Sequence, residues 1–227
     1  QYSKRSPKGS TKHILLEGWY DASYSLNCQF IIGDRIIPYC CSCQILEDGR
    51  FQGSILPAEV VCSNDEISCQ IEYALRLAEA IKKEGYRGII GIDTLVTDRK
   101  QIFPAVEVNA RINYSTFYFA IKRLLGDPPV ITCRWFEFNL HNRMSLELLL
   151  SVLGGETYDK KTGRGYFISV FKSLNINVDC MEKDINNKCS KSGRIYVVIA
   201  GNDYNEILNQ VIFLEKRIEE YNGRTDR

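Results

Sequence analysis

The segment FPAVEVNARINYS, residues 103–115, decides how the chain is read. It places a carboxylate, an amide and a guanidinium at Glu107, Asn109 and Arg111, with Val106, Val108 and Ala110 between them. Alternate side chains of an extended strand point to opposite faces, so the polar three share one face and the apolar three the other, which is predicted to meet the core. Just upstream, RGIIGIDTLVT (87–97) is a second β-type run, and the polar turn DRKQ joins the two into a hairpin. If the hairpin is symmetric about that turn, Asp93 falls opposite or next to Glu107 on the same face; a slip of two residues keeps them diagonal neighbours. Carboxylates stacked across strands repel unless positive charge sits between them. Two carboxylates and an amide, without Cys or His, suit Mg2+ or Mn2+, which complete their shells with phosphate oxygens. Arg111 on that face would clamp a phosphate with its planar fork. A solvated sheet face carrying a Glu and Arg pair has the same pattern, so patterning alone leaves both readings open.

Working outward, three β-type runs come first, at 13–20, 23–32 and 35–46, with Gly33 and Asp34 as a tight hairpin signal between the last two. A loop is expected through Gly49, Gly53 and Pro57. A helix follows, capped by Ser63, Asn64 or Asp65, with apolar spacing through Ile67, Ile71, Leu75, Ala78 and Ile81, and it stops at Gly85. After the metal-type hairpin, a helix over 116–125 ends at Gly126, with Ser115 or Thr116 as its cap. Pro128 and Pro129 block its continuation, which places a domain boundary there, giving units 1–126 and 127–227. The second unit reads as strand (130–139), helix (144–153), a basic Gly-rich loop with Lys160, Lys161 and Arg164, strand (165–173), a polar excursion with Cys180 and Cys189, strand (194–200) and helix (204–221).

With 227 residues, 44% hydrophobic, 25% charged and a net charge of +1, the chain has the composition of an ordinary globular protein. No nucleic acid partner is implied. The apolar run LELLLSVL (146–153) is far shorter than the roughly 18 residues that cross a bilayer, so no membrane partner is expected either. Nine cysteines without framework spacing point to reduced thiols and a cytoplasmic setting. The cluster Cys40, Cys41 and Cys43 lacks the second ligand pair of structural zinc, and free Cys packs as a small hydrophobe. The polar opening from Gln1 reads as the downstream part of something longer.

GIDTLVTDRKQIFPAVEVNARINYS resembles the metal-binding hairpin of the ATP-grasp superfamily, where an Asp is followed a hairpin later by Glu-x-Asn and a further Arg. The resemblance implies an α+β fold with an antiparallel sheet and flanking helices, here followed by a smaller α+β domain. It implies that Asp93, Glu107 and Asn109 hold Mg2+ (or Mn2+) bridging the phosphates of ATP, and that Arg111 contacts phosphate or an acyl-phosphate. ILLEGWYDASYSLNCQ (14–29) is similar to the adenine-binding linker of the same superfamily. Glu17 and Gly18 would lie at the adenine edge, the Tyr20 backbone would read a ring nitrogen, and Asp21, or Ser23 on a shifted alignment, would meet the ribose. Both matches fall within residues 12–125, in the family's order. The phosphate-binding lysines and Gly-rich loop of a preceding lobe are not in the sequence. The strand IIPYCCSCQ (36–44) carries no Lys or Arg where many relatives have a basic substrate contact.

The resemblance implies a ligase that activates a small-molecule carboxylate as an acyl-phosphate for capture by an amine, of the amino-acid or peptide ligase type. Asn113 and Ser115 would lie where relatives meet the carboxylate, and the appended unit would shape a substrate pocket or a homodimer contact. Two rivals stand beside this reading. One is a nucleotide-binding regulatory module without catalysis; the other is an interaction protein whose cysteine cluster holds a metal.

Overall fold

The structure, a computed structural model, describes residues 20, 22–47, 49–99, 101–181 and 192–225. The expected run at 13–20, apart from Tyr20, and residues 182–191 of the polar excursion, including Cys189, therefore lie outside the described residues. The chain is α+β. Its strands are β1 (Ala22–Ile32), β2 (Ile36–Glu47), β3 (Arg50–Leu56), β4 (Gly88–Thr97), β5 (Ile102–Asn109), β6 (Val130–Asn139), β7 (Gly165–Val170) and β8 (Ser192–Gly201). Its helices are α1 (Asn64–Lys83), α2 (Tyr114–Leu124), α3 (Leu146–Leu153), α4 (Ile176–Met181) and α5 (Tyr204–Thr225). Among the described residues these eight strands make one sheet in the order β5-β4-β1-β2-β3-β6-β8-β7, with every neighbouring pair antiparallel.

Within the expected loop over Gly49, Gly53 and Pro57, residues Arg50–Leu56 form strand β3, while Gly49 lies in the turn before it and Pro57 follows it. Gly53 belongs there because a Cβ at that position would sit 2.1 Å from the Cys133 carbonyl of β6. This close approach joins the halves of the chain: β3 pairs with β6 from Gly53↔Arg134 to Leu56↔Ile131, so the sheet runs on across residues 126–127.

The sequence of β1 shows how the two faces of the sheet are divided. Leu26, Cys28 and Phe30 alternate with Ser25, Asn27 and Gln29, and all six are buried. The apolar set faces α1, whose Ala74 and Ala78 pack with Cys28, Phe30, Ile90 and Ile92. Ser63 caps α1 in a reciprocal box: its Oγ accepts from the Glu66 N–H at 3.3 Å, and its own N–H donates to Glu66 Oε2 at 3.0 Å. At the other end Gly85 takes φ +92°, and the N–H groups of Gly85 and Tyr86 donate back to the Lys82 and Ile81 carbonyls. On that same side the inward residues of β6 and β8, among them Phe136, Phe138, Ile195 and Val197, form the main core with Leu149, Leu153, Val211 and Leu214 of α3 and α5. The opposite face carries α2, whose Tyr118 packs on Leu56, Ile131 and Val198. Elsewhere that face carries Asn27 and Gln29 of β1, Ser42 and Gln44 of β2, Asp93 of β4 and Asn109 of β5.

Among the described residues no helix is long and apolar enough to cross a membrane. Cys28, Cys43, Cys62 and Cys133 are buried as small apolar side chains, and Cys28 Sγ lies 2.7 Å from Cys41 Sγ across the β1–β2 pair. Burial pushes the Cys40 thiol up to about 12, so it carries little thiolate at neutral pH.

Candidate active site

The polar face is built by register. Asn27 of β1 stands directly across from Asp93 of β4, and Asp93 across from Glu107 of β5. The two carboxylates therefore face each other across strands, the nearer of the placements open to the sequence. Asp93 is 7% exposed, whereas Glu107 is open to solvent. Asn27 Nδ2 donates to Asp93 Oδ1, and Asn109 Nδ2 donates to Asp93 Oδ2 at 3.4 Å. Burial raises the Asp93 carboxyl above its ordinary 3.8; hydrogen bonds from Asn27 and Gln44 pull it back, and the charge of Glu107 pushes it up again.

Gln29, one residue pair further along β1, ties this row to α2. Its Nε2 donates to Asn27 Oδ1 at 2.9 Å and also to Asn113 Oδ1, while its Oε1 accepts from Thr116 Oγ1 at 2.6 Å. Asn113 is the N-cap of α2, accepting from the Thr116 N–H at 3.4 Å, while its own N–H donates to Thr116 Oγ1 at 3.2 Å. The cap is thus Asn113, not Ser115 or Thr116 as expected: the helix starts two residues earlier and Thr116 closes the box from inside. Ser115 turns inward, with its Oγ 2.9 Å from Ser42 Oγ and 3.4 Å from Ser54 Oγ.

Beside this network lies a cleft of about 320 Å3. Asp93, Glu107, Asn109, Arg111, Asn113 and Ser115, the metal, phosphate and carboxylate candidates of the sequence, all line it. Sequence reasoning missed Asn27, Gln44, Leu46, Gly49, Phe51 and Tyr114, which complete the wall. Asn27 was available from the alternation Ser25, Asn27, Gln29 within an apolar run; the others come from the β2–β3 hairpin and the first turn of α2, and only the fold brings them near. Arg111 is exposed, its backbone N–H donates to the Asn109 carbonyl at 2.8 Å, and it has no carboxylate partner among the described residues. Val106 and Val108, expected to meet the core, are 51% and 41% exposed. Among the described residues β5 is the sheet edge and α1 reaches it at Pro104, whose carbonyl accepts from Gln70 Nε2 at 3.2 Å, so no described element covers the two valines.

Of the adenine-linker candidates, Glu17, Gly18 and Asp21 lie outside the described residues. Tyr20 packs its ring on Phe103 at 4.5 Å, and the Ser23 hydroxyl donates to Asp98 in the β4–β5 turn; neither lines the cleft. The basic loop is tied to α5 through Arg164 and Glu206 at 2.9 Å, and it supplies no lining residue.

Among the described residues no group of three or more His, Cys, Asp or Glu side chains is placed to hold a metal ion. The donors at this site are two carboxylates and an amide, a partial set that fits a cation drawing further oxygens from a bound phosphate. Asp93 fits that role because its charge is held in a buried place beside a second carboxylate, an arrangement that a cation relieves.

An antiparallel sheet with helices on both faces is a fold that this chain shares with solved structures. Two solved structures carry it over most of this chain: an ADP complex of N5-carboxyaminoimidazole ribonucleotide synthetase (TM-score 0.58, 14% identity, 90% of this chain and 51% of that one) and the Thermus thermophilus enzyme of the same name (TM-score 0.58, 13% identity, 89% and 52%). In sequence the chain is 32% identical over 107 residues to a [butirosin acyl-carrier protein]--L-glutamate ligase of Niallia circulans, a match covering 46% of this chain and 25% of that protein. The chain thus spans about half the length of these solved structures, and the sequence match a quarter of the curated relative. No family model matches the sequence.

Proposed function

We propose that these residues belong to an ATP-dependent ligase that activates a carboxylate as an acyl-phosphate and passes it to an amine. The observation that carries the reading is the pairing of Asp93 with Glu107, with Asn109 bonded to the former and Arg111 lining the same cleft. ATP is the phosphoryl donor, as the ADP-bound structure of the same fold suggests. Asp93, Glu107 and Asn109 would hold Mg2+, which when bound neutralises phosphate charge and orients the triphosphate. Arg111 meets the transferring phosphoryl group and the acyl-phosphate with its paired N–H donors. The substrate carboxylate oxygen attacks the γ-phosphorus, the bond to the bridging oxygen breaks and ADP leaves. The amine then attacks the acyl carbon and releases inorganic phosphate, while the nitrogen loses a proton to solvent. No side-chain nucleophile is needed, because phosphoryl transfer rests on positioning and charge stabilisation.

The relative in Niallia circulans is named for joining an acyl-carrier protein and L-glutamate, which supports an amino acid as one of the joined partners. The test uses the longest native chain that carries these 227 residues. ADP release should require both a carboxylic acid and an amine, and Glu107→Gln should abolish it while leaving the circular dichroism spectrum unchanged. ATP binding without ADP release under any such pairing would favour a regulatory nucleotide-binding module instead.

A further inference from the structure

The lining of the cleft is of two chemical kinds, the carboxylates and amides around Asp93 and a group of aromatic and apolar side chains. Tyr114, the first residue of α2, is 53% exposed and lines the cleft with Phe51 of β3 and Leu46 of β2, itself 39% exposed. A single exposed tyrosine on a helix needs no special account. This one is fixed by three other rings: Phe51 lies 5.8 Å away at 14°, Tyr118 6.2 Å away at 20° and Tyr196 6.3 Å away at 17°. Phe51 is anchored in turn, since Trp135 Nε1 donates to its carbonyl at 3.1 Å. The result is a set of nearly parallel, stacked rings of which Tyr114 and Phe51 line the cleft, so a flat ligand that lands on these two meets side chains already held by their neighbours.

The charges narrow the ligand further. Among the described lining residues Arg111 is the lone cation, and Asp93 and Glu107 are anionic. A ligand with one carboxylate can give it to Arg111 and lay its body on Tyr114 and Phe51. A second carboxylate would find no further cationic side chain among the described lining residues and would meet apolar rings.

We infer that the activated substrate is a monocarboxylic acid with an aromatic body, of which an aromatic amino acid is the simplest case, and that Tyr114 and Phe51 set this preference. The inference rests on the ligase reading for the role of the carboxylate, and it departs from the L-glutamate named for the Niallia circulans relative.

The test measures binding of L-phenylalanine and L-glutamate to this chain by ligand-observed NMR, with Mg2+ and ADP present. L-Phenylalanine should bind about tenfold or more tightly than L-glutamate, the size expected for burying and stacking one ring. Tyr114→Ala should remove most of that advantage and leave L-glutamate unchanged. Tyr114→Phe should keep it, and Tyr114→Leu, which preserves apolar bulk and packing, should lose most of it. Equal binding of the two amino acids, no binding of either, or an advantage that survives in both Tyr114→Ala and Tyr114→Leu overturns the inference. Mn2+ binding in the same samples, read by water-proton relaxation, reports separately on Asp93 and Glu107. The metal reading can then fail while the aromatic preference stands, or the reverse.

Discussion

Gly91 of β4 tests whether the site is built as described, because it lies under the network without taking part in its chemistry. A Cβ there would sit 2.3 Å from Asn113 Nδ2 and 2.9 Å from Asn27 Nδ2, closer than real contacts allow. Gly91→Ala must therefore push Asn113 off the position from which it caps α2 and accepts from Gln29. Loss of an N-cap costs about 0.5–2 kcal/mol. A buried donor left without its acceptor costs about 1–3 kcal/mol more. Alanine recovers about 0.4–1 kcal/mol by restricting the unfolded chain, which leaves a net loss of roughly 2 kcal/mol. With a urea slope of about 2 kcal/mol/M, the unfolding midpoint should fall by about 1 M. Asn113→Ser supplies a background with a shorter side chain that still offers a capping oxygen. In that background most of the Gly91→Ala penalty should disappear. An unchanged midpoint for Gly91→Ala, or an equal drop in both backgrounds, would show that Asn113 does not lie over β4 as described.

Other expectations follow from the same geometry. Ser115→Ala removes the shared partner of Ser42 and Ser54, both fully buried, and should lower stability by about 1–3 kcal/mol in urea titration. Arg111→Lys keeps the charge but loses the fork, so in the longest native chain it should lose most of the rate and not recover with added Mg2+. Asn109→Ala should recover in part; rescue of the first and not the second would reverse their roles. Because burial raises Asp93, the folded state holds a proton that the unfolded state has already released, so apo stability should fall as pH rises above 3.8 toward the raised value. Glu107→Gln removes one cause of that shift; it should shrink the fall and raise apo stability at neutral pH by about 0.2–1 kcal/mol, read from urea midpoints across pH.

What the sequence made legible was local in origin. The Asp93–Glu107 hairpin could be read because its register is set by one short turn, and α1 because its cap, its apolar spacing and Gly85 agree. Strand β3 was hidden because Gly49, Gly53 and Pro57 carry turn chemistry, and only the approach of β6 explains a glycine inside a strand. The valines of β5 misled for a related reason: alternation tells which residues share a face, but the sheet order decides whether that face is covered. Asn113 as cap and Tyr114 as wall depend on where α2 lands on β1 and β3, a long-range outcome without a local signal. Where 126–127 divides the protein stays a proposal about domains, while the sheet itself is continuous there.

On the proposed reading Asp93 and Glu107 face each other in order to share a divalent cation. Mn2+ titration of this chain with ADP present, followed by electron paramagnetic resonance, addresses it without depending on any substrate. Saturable Mn2+ binding is expected, weakened at least about tenfold by Glu107→Gln, since one of the two charged oxygen donors is lost. Undiminished Mn2+ binding in Glu107→Gln, or no binding to the parent chain, would contradict it.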